Sequence, residues 1–116
     1  MLIMEQNLSS PLSIEKLAAK VNLSRRQLER LFKEVIGRSP QATYLRLRLK
    51  HARWMMRTDL TLAAVAAETG FVDGSHLSKA FKAAFGTNPS DERPKRVRVS
   101  PNADVEIQSR RMFDNV

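Results

Sequence analysis

Two stretches decide the fold: Leu12–Pro40, LSIEKLAAKVNLSRRQLERLFKEVIGRSP, and Leu60–Pro89, LTLAAVAAETGFVDGSHLSKAFKAAFGTNP. Laid over one another with Val72 as the single extra residue, they share Leu12/Leu60, Ala18/Ala66, Ala19/Ala67, Leu28/Leu77, Phe32/Phe81, Lys33/Lys82, Gly37/Gly86 and Pro40/Pro89. Eight identities in 29 aligned positions mark an internal repeat. Each copy reads as a short helix, a tight turn and a second helix ending in glycine. Ala18 or Ala66 is followed four residues later by Asn22 or Gly70, then by apolar Leu23 or Phe71. Two helices that cross closely need a small side chain at the contact, and the turn between them needs a residue that tolerates positive φ. A single copy is compatible with a generic helical hairpin; two copies in a basic chain favour tandem helix-turn-helix units.

Outward from the repeat, apolar residues recur at helical spacing nearly throughout, and Val97–Val99 is the one alternating stretch, so the expected class is all-α with about seven helices. A first helix contains Met4 and Leu8. Ser13 caps a helix to about Val21 with Ile14, Leu17, Ala18 and Val21 on one face. Ser24 and Gln27 form a capping box, and Gly37 ends that helix. Ser39-Pro40 opens a long helix to about Thr58, Thr61 a helix to about Gly70, Asp73 one to Phe85, and Asn88-Pro89 a last short one stopped by Pro94. The expected organisation is a first unit over 1–38, a connecting helix over 39–59, a second unit over 60–94 and a flexible tail over 95–116.

The chain has 116 residues, a net charge of +8 and no Cys. One domain's worth of chain argues against a large enzyme, and the lack of Cys excludes disulfide scaffolds, thiolate nucleophiles and Cys-based zinc sites. The longest apolar run, Leu62–Ala67, is far too short for a bilayer, and there is no secretion signal, so a cytoplasmic protein without a membrane partner is expected. The charge is uneven: +3 over 24–39, +5 over 40–58 and zero over 60–90. Such an excess suits a polyanion, although a charge run is equally the mark of a solvated face. Asp73, Ser75 and His76 crowd one helical turn and cannot form an oriented catalytic relay, and His51 and His76 have no clustered co-ligands, so neither catalysis, metal nor cofactor is expected.

In a DNA-binding helix-turn-helix, the second helix enters the major groove. Its exposed positions in the first copy are Arg25, Arg26, Gln27, Glu29, Arg30 and Lys33, with Leu28, Leu31, Phe32 and Val35 toward the core. Arg bonds guanine O6 and N7 in bidentate fashion, and Arg26 and Arg30 project from one face. Glu29 either meets a base, orients an Arg or pairs with Lys33. The second copy exposes Asp73, Gly74, Ser75, His76, Ser78, Lys79 and Lys82, a less charged set from which weaker base discrimination is expected. Helix starts at Gln41 and Ser90 offer N–H groups to phosphates. On the long helix, about 100° per residue puts Leu45, Leu49, Ala52 and Met56 on a core stripe. Arg46, Lys50, Arg53 and Arg57 form a second stripe that either follows a phosphate backbone or is solvated. Leu47 and Trp54 fall opposite the core, as a protein-contact surface or folded over their own helix. A 19-residue helix would span about 28 Å, near the ~34 Å between major-groove openings on one DNA face.

These residues resemble the DNA-binding domain of the AraC/XylS family of bacterial transcription regulators over about residues 5–93. The resemblance rests on LSIEKLAAKVNLSRRQLERLFKEVIGRSP, YLRLRLKHARWMM and LTLAAVAAETGFVDGSHLSKAFKAAFGTNPSDER, above all A-x-x-x-G-F followed by S-H-L-S-K-A-F-K-x-x-F-G-x-x-P from Ala66 to Pro89. The stretch SRRQLERLFKEVIGRSP is similar to members whose N-terminal half is an amidotransferase-like sensor domain. The resemblance implies two helix-turn-helix units on a long helix, binding double-stranded promoter DNA and usually activating transcription by RNA polymerase. It maps base reading onto Arg26, Glu29 and Arg30 and onto Gly74, Ser75, Ser78 and Lys79. Backbone or secondary contacts are expected from Ser24, Arg25, Gln27, Lys33, Gln41, Lys50, His76, Lys82 and Ser90. Most members carry a separate sensing and dimerising domain; the chain is then a stand-alone member or a fragment of a longer protein.

Overall fold

The structure, a computed structural model, describes residues 2–94; the tail expected over 95–116 lies outside the described residues. Six α-helices and one 3₁₀ helix follow in order: α1 Leu2–Glu5, α2 Ile14–Lys20, α3 Arg25–Val35, α4 Pro40–Met55, α5 Leu62–Glu68, α6 Gly74–Phe85 and the 3₁₀ helix Pro89–Glu92. Among the described residues there is no strand, as the periodicity requires.

The helix starts are set by local chemistry. Ser13, Ser24, Ser39, Thr61 and Asp73 all sit in extended backbone and accept a hydrogen bond from an N–H in the first turn that has no carbonyl partner within its helix. At α3 the box is reciprocal: Ser24 Oγ accepts from the Gln27 N–H at 3.1 Å, and Gln27 Oε1 accepts from the Ser24 N–H at 2.9 Å.

The two inter-helix turns have the same construction. Asn22 (φ 57°) and Gly70 (φ 79°) take the left-handed conformation. Leu23 N–H returns to Ala18 O at 2.9 Å and Asn22 N–H to Ala19 O at 3.2 Å; Phe71 N–H returns to Ala66 O at 2.9 Å and Gly70 N–H to Ala67 O at 3.3 Å. This paired return is the Schellman arrangement, which gives otherwise orphaned helix-end carbonyls a partner. Ala18 and Ala66 are buried at the crossings, as expected from their size.

Packing divides into two cores. Met4, Ile14, Leu17, Ala18, Leu28 and Tyr44 form the first, with Leu12, Leu23, Phe32 and Leu47 against it. Leu49, Ala52, Met56, Val65, Ala66, Leu77 and Phe81 form the second, with Leu62, Phe71 and Phe85 against it. Helix α4 serves both, from different sides. Thr43, Tyr44 and Leu47 cluster about 160–260° around the helix from Leu45, whereas Leu49, Ala52 and Met56 lie within about 40° of it. The two units therefore grip nearly opposite faces of one helix.

That geometry corrects the single core stripe expected for α4. Leu45 lies on the side of the second core but a turn too early to reach it, and is 39% exposed. Leu47, expected to face outward, is half-buried against the first core. Trp54 points toward the first unit's side but beyond its reach, and is 52% exposed. The helix is also shorter than expected: Arg57 and Thr58 N–H groups turn back to Trp54 and Met55 carbonyls, and the chain leaves the helix after Met55. Its 16 residues span about 24 Å.

Candidate nucleic-acid interface

Helix α3 stands on Leu28 and Phe32, so its outermost line is Arg26, Arg30 and Lys33, all exposed, about 140–200° from Leu28. Leu31 and Val35, expected in the core, are 46% and 74% exposed. The reason is length: α3 has 11 residues and α2 only 7, so the last turns of α3 run past their partner. The aligned positions of α6 carry Ala80 and Ala84 instead.

Three residues expected to face DNA are engaged within the protein. Arg25 pairs with Glu15 of α2 and, through Nε, with Glu29 Oε1 at 2.7 Å. Glu29 therefore pairs one turn back with Arg25, and Lys33 is not its partner. The hydrogen bond to Glu29, followed by that to Glu15, raises the Arg25 guanidinium above its ordinary value. The Glu15 carboxyl is lowered, first by its backbone hydrogen bond and then by Arg25. Gln27 spends its carbonyl oxygen on the capping box.

In the second unit Ser75, His76, Lys79 and Lys82 are exposed and Ser78 is half-exposed. Asp73 Oδ1 accepts from the His76 N–H at 2.8 Å, so Asp73 is a cap. Gly74 aligns with Arg25 and shares its outlook toward the preceding helix. A Cβ there would lie 3.0 Å from Leu62 Cδ2 of α5. A side chain at Gly74 would require Leu62 to give way by a few tenths of an ångström, so the glycine lets α5 and α6 approach closely here. Gln41 and Ser90 occupy the second positions of their helices, where an N–H has no intrahelical acceptor.

The basic stripe of α4 splits. Arg53 Nε meets Glu92 Oε1 at 2.9 Å, with its guanidinium 4.9 Å from the Phe85 ring centroid, and Arg57 Nη2 lies 3.5 Å from Glu92 Oε2. These two hold the 3₁₀ helix against α4. Arg93 adds bonds to the Thr58 and Leu60 carbonyls. Arg46 and Lys50 remain exposed on the same stripe.

Sequence reasoning passed over Arg48. Its Nε donates to Thr69 O at 2.7 Å and its Nη2 to Gly70 O at 2.8 Å, and the guanidinium stacks 4.3 Å from the Phe71 ring centroid. Burial pushes its pKa down, but a guanidinium stays charged at neutral pH. Tyr44 was equally silent in sequence: its hydroxyl donates to Asn7 O and accepts from the Leu12 N–H at 3.1 Å. No local pattern announces such contacts, because their partners lie more than 20 residues away.

Two capped, Schellman-turned helix pairs on one connecting helix define a tandem helix-turn-helix domain. Residues 17–95 match the family model described as a helix-turn-helix domain. The chain is similar to an AraC-type DNA-binding domain regulator from Chromobacterium violaceum, at 38% identity and TM-score 0.76, over 84% of this chain and 88% of that one. It is 46% identical over 92 residues to the HTH-type transcriptional regulator GbdR of Pseudomonas aeruginosa, covering 78% of this chain and 25% of that protein. The DNA-binding domain of AdpA, solved in complex with a target DNA, superposes with TM-score 0.70 at 28% identity, over 76% of this chain and 79% of that one. The chain belongs to the AraC-type helix-turn-helix family of DNA-binding domains. It spans about a quarter of the length of the curated relatives it matches. Among the described residues no helix is long and apolar enough to cross a membrane, and no His/Cys/Asp/Glu group could hold a metal ion.

Proposed function

We propose that this domain binds double-stranded promoter DNA sequence-specifically, placing α3 and α6 in successive major-groove segments, and that it regulates transcription. The observation that carries the reading is the duplicated unit: two identically built turns present two polar helix faces, each directed away from its own core. In this reading Arg26 and Arg30 read bases from α3, and Ser75, Ser78 and Lys79 do so from α6. Glu29, held by Arg25, orients the basic face more than it meets a base. Gln41 and Ser90 amides, Lys33, Lys50, His76 and Lys82 approach phosphates, with Ser24, Arg25 and Gln27 shaping the start of α3. With the charge concentrated on α3 and α4, the first unit supplies most of the affinity and the second sets register. The α4 length of about 24 Å is short of the ~34 Å groove repeat; if α3 and α6 stand no farther apart than that, simultaneous insertion bends the DNA.

GbdR is about four times the matched length, so an effector-sensing or dimerising unit and a productive contact with RNA polymerase belong to this proposal at the level of a whole protein. Cytoplasmic localisation follows from the same reading. The test is binding of labelled promoter fragments against non-specific competitor. Arg30→Ala is expected to weaken the specific site by ~1–3 kcal/mol and to leave non-specific affinity nearly unchanged. Equal loss on every sequence would remove Arg30 from base reading.

A further inference from the structure

The two units share α4 but hold opposite faces of it, so something must fix the rotation of one about the other. The second core meets α4 through Leu49, Ala52 and Met56, apolar contacts with little directional preference. Directional contacts join α4 to the second unit at two places: Arg53 and Arg57 meet Glu92 of the 3₁₀ helix, and Arg48 meets the turn from which α6 starts. From α4, Arg48 reaches two successive carbonyls, Thr69 and Gly70, and stacks on Phe71, the next residue. A planar guanidinium on two carbonyls fixes orientation as well as distance, which a single-point ammonium does not.

The same turn meets the strap of residues 7–12 between α1 and α2. Its ends are tied to the first unit by the Tyr44 hydroxyl, through Asn7 O and the Leu12 N–H. Its middle presses on Gly70: a Cβ there would stand 2.5 Å from Leu8 O and 2.5 Å from Pro11 Cγ. The matching turn of the first unit carries Asn22, which is exposed. Arg48 and the strap both hold the second unit's turn, and α6 begins four residues after Gly70.

We propose that Arg48 and Tyr44 are positioning residues that set the rotational register of α6 relative to α3, and thereby the spacing between the two DNA segments that the domain accepts. This rests on the two-segment reading above. Neither residue needs to touch DNA: Arg48 holds the α6 turn to α4, and Tyr44 holds the strap that backs the same turn.

The experiment measures affinity for duplexes in which the two segments are separated by the preferred spacing or by one or two base pairs more or fewer, and for a duplex carrying the α3 segment alone. The wild-type domain is expected to lose roughly tenfold or more per base-pair change, comparable to a mismatched base pair. Arg48→Met and Tyr44→Phe are expected to flatten that profile to within about threefold while binding the α3-only duplex within about twofold of wild type. Arg48→Lys, which keeps the charge and one carbonyl contact, should fall between and serves if the Met variant does not fold by circular dichroism. Variants that lose affinity by one factor at every spacing, with the profile intact, would overturn the proposal. A wild-type domain indifferent to the second segment would refute the two-segment reading itself, and the positioning role with it.

Discussion

Gly70→Ala probes the packing at the centre of the molecule, and Gly37→Ala is its internal control. Both glycines have φ near +80°, at +79° and +83°. At Gly37 an added Cβ would meet nothing within 4 Å. The cost there is the left-handed backbone of an L-residue, about 1–2 kcal/mol. At Gly70 the same methyl would stand 2.5 Å from the Leu8 carbonyl oxygen, a backbone atom whose strap is pinned by Tyr44. Overpacking of this kind adds about 1–3 kcal/mol, for a total near 2–5 kcal/mol at Gly70. Each substitution also restricts the unfolded chain by about the same amount, so that contribution cancels in the comparison. Urea denaturation followed by circular dichroism reads the difference, provided the urea dependence of stability is unchanged. In thermal melts Gly70→Ala should fall below Gly37→Ala by roughly 4–8 °C per kcal/mol of the excess. Equal destabilisation of the two variants would refute the contact between strap and turn.

Lys50→Ala should lower affinity for all duplexes alike and reduce the slope of log affinity against log salt by about one if the ammonium meets a phosphate; an unchanged slope would return it to a solvated position. Glu92→Gln removes the anion shared by Arg53 and Arg57 and is expected to destabilise by about 1 kcal/mol, read by denaturation, with the second unit's amides exchanging faster than the first's. The lowered pKa of the Glu15 carboxyl means that the folded state favours its ionised form. That contribution is present above the ordinary carboxylate range and is lost as pH falls through the lowered folded value. Glu15→Gln should therefore flatten the acid limb of the stability–pH profile, and an unchanged limb would remove the Glu15–Arg25 pair from it. Trp54→Ala should leave DNA binding unaltered and impair transcription or coupling to a neighbouring domain if the exposed indole is a contact surface; intact transcription would dispose of that role.

What could be read from sequence was what depends on neighbours in sequence. Ser13, Ser24, Ser39, Thr61 and Asp73 cap their helices because a side-chain oxygen reaches an N–H within the next turn. Asn22 and Gly70 mark the turns because their tolerance of positive φ is intrinsic. The repeat followed from the same signals occurring twice, and with it the tandem fold and the polar faces of α3 and α6. The α4 helix resisted such reading. A helical wheel assumes one core on one side, whereas α4 carries two on opposite faces; Leu45 and Leu47 were consequently assigned the wrong way round.

The tertiary structure alone decided which charges are structural. Arg48, Arg53 and Arg57 are chemically indistinguishable from Arg46 in sequence, yet the first three are spent on Thr69, Gly70 and Glu92. The close approach of Gly74 to Leu62 is likewise visible only in the fold. The strap on Gly70 joins residues some 60 positions apart. Caps, turns and amphipathic faces follow from the few residues around them, so the chain determined these by itself. The partners of a long basic side chain, and the rotation of two units about a shared helix, depend on where distant segments arrive in space, and those only the folded chain could decide.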